Sequence, residues 1–157
     1  MKRRATKDDL PFISKLIIDG AQKKHFNRKV LTPMGRFLYK INLKSMVLKG
    51  CGYSQGYKRR MEAFIWNKNE TPIGFVVIAQ QPDELLLAAI SPEYRGKGYG
   101  REMLDTFLID YIARKRMVWA RCYPASKIMK DYLLRRGFEI YNTSKSGDLI
   151  LRARYNN

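Results

Sequence analysis

Glu84-Leu85-Leu86-Leu87-Ala88-Ala89-Ile90-Ser91-Pro92-Glu93-Tyr94-Arg95-Gly96-Lys97-Gly98-Tyr99-Gly100 decides the fold of this chain. Its first half is an almost wholly apolar run that ends at Ile90-Ser91, which reads as a central strand buried on both faces. Its second half places three glycines at alternate positions. After Gly100 the pattern turns helical, with Met103, Leu104, Phe107, Leu108, Tyr111 and Ile112 on one side. Glycine lets the backbone turn tightly and keeps side chains out of the way. Successive N–H groups can then converge on one anion, helped by the positive end of the following helix. Arg95 and Lys97 add full charges. The physical reading is a pyrophosphate cradle, although a tight turn without a ligand has the same local chemistry.

Two familiar cradles do not fit. No G-x-x-x-x-G-K-[ST] occurs, and the glycines run G-x-G-x-G instead of the dinucleotide spacing G-x-G-x-x-G. No acidic residue stands at the ribose position of a βαβ unit either. The strands before the cradle form a meander: Met61 to Trp66, a turn at 67–70, Ile73 to Ala79, a turn at 80–83, then Glu84 to Ile90.

Working outward, Lys2 to Ala5 reads as a short first strand. Thr6 or Asp8 caps a helix to about residue 24, carrying Leu10, Ile13, Leu16, Ile17 and Ala21. Thr32-Pro33 opens a second helix that Gly50 ends. Met34, Phe37, Leu38, Ile41 and Leu48 are its expected apolar face, with Phe37 in the core. Residues 51–60 read as a loop. Beyond the cradle helix, Met117 to Cys122 is a strand, and Ser126 caps a helix to Arg136 with Gly137 as its stop. Phe138 to Tyr141 and Asp148 to Ala153 close the chain as a hairpin. The order is β-α-α-β-β-β-α-β-α-β-β, in a single domain spanning 1–157.

The totals narrow the class. The chain of 157 residues is 45% hydrophobic and 29% charged, as a soluble globular domain should be. No apolar run approaches the roughly 18–20 residues of a membrane helix. The basic start runs into Thr6-Lys7-Asp8-Asp9, which is unlike a secretory leader. Two cysteines, Cys51 and Cys122, and one histidine, His25, make neither a disulfide framework nor a metal site. The expectation is a cytoplasmic protein with reduced thiols, without membrane attachment, as monomer or homodimer.

Net charge is +17, and it is unevenly spread. Residues 1–60 carry +13 and residues 61–157 carry +4. Between Asp19 and Glu62 there is no acidic residue but eleven Lys or Arg. Such a field draws anionic partners, whether nucleic acid or an acidic protein surface. Tyr53 and Tyr57, beside Lys58-Arg59-Arg60, are the aromatics best placed to stack on bases.

Arg95-x-x-Gly98-x-Gly100 after an apolar strand resembles the [RQ]-x-x-G-x-[GA] motif of the GNAT superfamily of N-acyltransferases. Arg4-Ala5-Thr6-x-x-Asp9-Leu10-Pro11 is similar to the opening of that superfamily. Leu133-Leu134-Arg135-Arg136-Gly137-Phe138 is similar to its late helix-to-strand junction. The resemblance implies an α/β fold of the α+β type: a mixed, mostly antiparallel sheet of about six to seven strands flanked by about four helices. It implies acetyl transfer from acetyl-CoA to an amine, with no metal. It implies coenzyme contacts from the backbone of Ala89 and Ile90, from Arg95, Gly96, Lys97, Gly98, Tyr99 and Gly100, and from Ser126 if that residue does more than cap its helix. The strands at 84–90 and 117–122 are expected to splay and admit the pantetheine arm.

The chemistry needs a base, because a lysine-type amine with pKa about 10.4 is protonated near neutral pH. Glu84 stands seven residues before Ser91, which resembles the histone-acetylating branch of the superfamily, and it is the expected base, facing the acceptor cleft. Glu62 is a second choice. The usual acid of the family is a Tyr four residues before the Gly of the Gly-Phe junction. Here Leu133 holds that place and Tyr132 precedes it, a step of about 100° around a helix. Tyr132 is nevertheless the expected acid, with Tyr123 as another possibility. The acceptor is expected to be nucleic-acid-linked or acidic. A small amine, a protein amine, or a fold kept for binding with weak catalysis are the alternatives.

Overall fold

The computed structural model describes residues 1–114 and 116–155. Its elements are β1 (Lys2–Arg4), α1 (Leu10–Gln22), α2 (Pro33–Lys49), β2 (Cys51–Ser54), β3 (Tyr57–Lys68), β4 (Thr71–Ala79), β5 (Glu84–Ile90), α3 (Tyr99–Ala113), β6 (Met117–Cys122), α4 (Lys127–Arg135), β7 (Glu139–Thr143) and β8 (Leu149–Arg154). The strands form one sheet in the order β1-β3-β4-β5-β6-β8-β7, with β2 paired to β3 off that path. Every neighbouring pair is antiparallel except β5 with β6.

The sheet separates two cores. Residues alternate sides along each strand. Met61, Ala63 and Ile65 of β3, with Phe75 and Val77 of β4, meet Ile13, Leu16 and Ile17 of α1 and Leu43 and Met46 of α2. On the other side Trp66, Val76, Ile78 and Leu85 meet Met103, Leu104, Phe107 and Leu108 of α3, with Leu133 of α4. Burying each of the larger side chains contributes about 1.5–3 kcal/mol before chain entropy is counted. No helix is long and apolar enough to cross a membrane among the described residues.

Asp9 ties the N-terminal strand to α1. It accepts two bonds from Arg3, at 2.7 and 2.8 Å, and one from Thr6 N at 2.8 Å. The Arg3 hydrogen bonds hold its carboxyl below the usual carboxylate range despite its burial.

Two expectations are corrected. Residues 51–60 are not a loop: β2 and the start of β3 pair as a hairpin, Cys51 with Arg60 through Ser54 with Tyr57. Its turn residues Gln55 and Gly56 both have positive φ, 53° and 81°, which suits the twist of a two-residue hairpin. Asn42 of α2 fastens it, exchanging bonds with the backbone of Tyr53 at 2.8 and 2.9 Å. Second, Phe37 is not core. Met34, Phe37, Leu38, Ile41 and Leu48 all lie exposed, and α2 packs inward through Leu43 and Met46, with Tyr39 and Val47 beside them.

Candidate active site

The site begins where the sheet fails to close. β5 and β6 pair only at Glu84 with Trp119 and Leu85 with Ala120. Beyond that, β5 continues to Ile90 on β4, and β6 continues to Cys122 on β8. The strands therefore part, and the β6-facing backbone groups of Leu86 to Ile90 are left without a strand partner. The parting coincides with a bulge in β5: Val77 opposes Leu87 while Ile78 opposes Leu85, so Leu86 is the extra residue. Leu86 and Leu87 both lie against the α1/α2 core as a result. Gly74 of β4 is needed beside this segment, since a Cβ there would fall 2.5 Å from Ile90 Cδ1 and 2.8 Å from Ala89 O.

The glycine-spaced turn lies at the open end of the gap. Gly96 and Gly98 have φ of 71° and 86°, and nothing lies within 4 Å of where a Cβ would stand on either. The N–H groups of Gly96, Lys97 and Gly98 have no acceptor among the described residues. Tyr99 and Gly100 begin α3, so their N–H groups have no intrahelical acceptor. Five consecutive donors are thus available beside a helix's positive end. Their side chains are drawn aside. Arg95 donates from Nε to Ile90 O at 2.8 Å and from a terminal nitrogen to Asp19 at 2.9 Å. Lys97 donates to Glu93 O at 2.9 Å, and the Tyr99 ring lies under Lys68 Nζ at 4.8 Å. An anion placed here meets open amides with the Arg95 and Lys97 cations close by, so the residues present fit a pyrophosphate.

A contact between residues far apart in the chain spans this end of the gap. His25 follows α1 on one side of the sheet, and Ser126 precedes α4 on the other. His25 Nδ1 and Ser126 Oγ lie 2.8 Å apart, a hydrogen bond whose donor is set by the imidazole tautomer. Ser126 makes no side-chain cap to α4, so the capping role expected of it is replaced by this bond. Burial, then the charges of Arg95 and Lys23, lowers the pKa of His25. Asp19 is partly desolvated, yet bonds from Arg95 and Lys23 outweigh that and keep its carboxyl below the usual range. His25, Asp19 and Arg95 thereby join α1 to the cradle. No local pattern marks His25 for this, because its partner lies 101 residues away.

Both expected catalytic side chains have other partners. Glu84 is on the α1/α2 side, at the closed end of the gap, but only 6% exposed. Its carboxylate accepts from Arg59 at 2.6 Å, and Arg59 also bonds Pro82 O. The side chain expected to act as base is thus held in a buried ion pair. Tyr132 lies on the α3 side. Its hydroxyl donates to Asp105 at 2.7 Å, and Arg136 grips the same carboxylate through two bonds of 2.6 Å. Burial, then the Asp105 carboxylate, pushes the Tyr132 pKa up. Leu133, at the family's position for the acid, is core. Glu62 pairs with Arg4, and burial raises the Tyr123 phenol. Burial likewise pushes the Cys122 thiol up to about 11, which suits packing and not nucleophilic attack.

Similarity to known proteins agrees with this geometry. A family model described as "Acetyltransferase (GNAT) family" matches residues 39–138. No curated protein sequence matches the chain. Among solved structures, PaiA N-acetyltransferase from Thermoplasma acidophilum, in complex with coenzyme A, superposes with TM-score 0.75 at 18% identity, over 99% of this chain and 98% of that one. A ribosomal-protein-alanine N-acetyltransferase from Brucella melitensis gives 0.68 at 18% identity, over 98% and 99%. YncA from Salmonella typhimurium, with acetyl-CoA, gives 0.70 at 12% identity, over 100% and 94%. At these identities the structural likeness concerns the fold.

Proposed function

This chain belongs to the GNAT acetyltransferase family, and from that premise we propose that it moves an acetyl group from acetyl-CoA to an amine carried by an anionic macromolecule, nucleic-acid-linked or acidic. The observation that supports this most is the open gap between β5 and β6 ending at five unpartnered amides. The pyrophosphate binds Arg95 to Gly100, and the pantetheine amides take backbone groups of Ala89 and Ile90, the Ile90 carbonyl becoming available as Arg95 turns to the phosphates. Ser126 keeps a free donor or acceptor site for the coenzyme while bonded to His25.

In the transfer, the free amine attacks the thioester carbonyl. A C–N bond forms, the C–S bond breaks, and coenzyme A leaves as thiolate. The oxyanion is held by β5 backbone N–H groups near the bulge. The amine loses one proton to solvent in the gap, and the thiolate, with a pKa near 8.5 in free thiols, takes one up without a dedicated acid. Glu84 and Tyr132 then act by position: Glu84 fixes the closed end through Arg59, and Tyr132 ties α4 to α3. Direct proton transfer by Glu84 is the competing role, and it requires Arg59 to let go. The acid-free interval 20–61 supports an anionic acceptor, since a small polycation is repelled there.

The test is mass spectrometry of lysate fractions incubated with isotopically labelled acetyl-CoA and the protein. Label on an RNA-associated or acidic acceptor supports the reading; label confined to small amines or neutral peptides overturns the acceptor class. A binding role without turnover is a second reading, favoured by the engaged Glu84 and Tyr132. It predicts coenzyme binding with no labelled product in any fraction.

A further inference from the structure

We infer that α2 carries a docking face for an acidic amphipathic helix of a protein partner. At about 100° per residue, Met34, Phe37, Leu38, Ile41 and Leu48 occupy one sector of α2, opposite Tyr39, Leu43 and Met46, which pack inward. The outward five are 68%, 60%, 57%, 53% and 51% exposed. The helix thus has two apolar faces and one core. An exposed apolar cluster at Met34, Phe37, Leu38 and Ile41, with Leu48 two turns further on beyond Ser45, marks a contact surface, and its spacing fits the anchors of a helix laid alongside.

Charge identifies the occupant. Lys40 and Lys44 border the stripe on one side, and Lys49 lies on the other near its end. Beside its N-terminal end, Leu31, Pro33, Arg36, Phe37 and Lys40 line a hollow of about 360 Å³. Arg36 Nε is buried there with no hydrogen-bond partner among the described residues, and a buried unpaired donor calls for an acceptor. A partner carboxylate seated in the hollow would meet the outer face of this guanidinium and Lys40. No acidic residue lies between Asp19 and Glu62 to compete for these cations. A second copy would bring the same positive face against itself, which opposes self-association. Four of the five stripe residues are aliphatic and give no stacking platform to bases, so the stripe favours protein over RNA.

This docking goes beyond acetyl transfer and does not depend on it. The probe is a fluorescein-labelled amphipathic peptide of about 18 residues, or five turns, with Leu on one face and Glu along its borders. Controls are a scrambled peptide of the same composition, a Glu-to-Lys peptide, and a single-stranded RNA oligonucleotide. Fluorescence anisotropy should show binding that weakens at least about tenfold on scrambling, on charge reversal, and in Leu38→Glu/Ile41→Glu protein. Both substitutions are on exposed sites, and acetyl-CoA binding by the double variant should be unchanged, which separates failure here from failure of the enzyme reading. Equal binding of the scrambled peptide, no binding of the amphipathic one, or RNA binding that Leu38→Glu/Ile41→Glu abolishes overturns the inference. So does a wild-type dimer in sedimentation velocity that the same variant dissolves.

Discussion

Glu84 and Arg59 are each only 8% exposed in their side chains, and each would be stranded without the other. Removing one charge of such a pair is costly, whereas a neutral isostere keeps part of the hydrogen bonding. Glu84→Gln should therefore lower stability by about 2–3 kcal/mol in urea unfolding. If Glu84 acts by position, kcat should stay within about threefold; a fall of about a hundredfold or more would make it the base. His25 gives a pH signature. Its folded pKa lies below the ordinary value near 6.5, so the unfolded chain takes up the proton first as pH falls. Its contribution is flat above about pH 6.5 and becomes destabilising below it. Wild-type urea midpoints should drop further between pH 7 and pH 5 than those of His25→Gln, and equal drops would contradict the assignment. Residues with a local pattern were readable in the sequence, the cradle glycines above all. His25 with Ser126 and Glu84 with Arg59 were not, because their meaning comes from partners brought in by the fold.

At the scale of elements, α3 and α4 are joined by a polar clasp as well as by core packing. Tyr132 and Arg136 converge on Asp105. Tyr132→Phe removes one hydrogen bond and should cost about 1 kcal/mol while leaving kcat nearly unchanged. A large fall in kcat, with its alkaline limb displaced in the pH profile, would make Tyr132 the acid. The same scale shows what periodicity can and cannot tell. Met34, Phe37, Leu38 and Ile41 were correctly read as one face of a helix. Nothing in spacing says which of two apolar faces the sheet will cover, and α2 turned the other one inward. The β2–β3 hairpin escaped for a related reason. Gln55-Gly56 is a weaker turn signal than Asn-Gly, and the hairpin is held by α2 through Asn42. The apolar run of β5, by contrast, was legible as a strand, although Leu86 to Ala89 are only half-buried beside the gap and the bulge at Leu86 left no mark in the sequence.

Across the whole molecule, the proposed site rests on an interruption. A sheet of eight strands is continuous except where β5 and β6 part, and the chain's amide-rich turn stands at that parting. The positive charge is concentrated in residues 1–60, which build α1, α2 and the β2–β3 hairpin. Binding of an anionic acceptor should therefore weaken steeply with added salt. Titration calorimetry with acetyl-CoA tests the central claim most directly, using wild type and a Gly96→Val/Gly98→Val variant whose side chains would enter the space the phosphates need. Wild type should release binding heat, with affinity at least about tenfold weaker in the variant, each β-branched residue at positive φ also costing about 1–3 kcal/mol of stability. No binding by wild type, or equal affinity in the two proteins, would contradict the account.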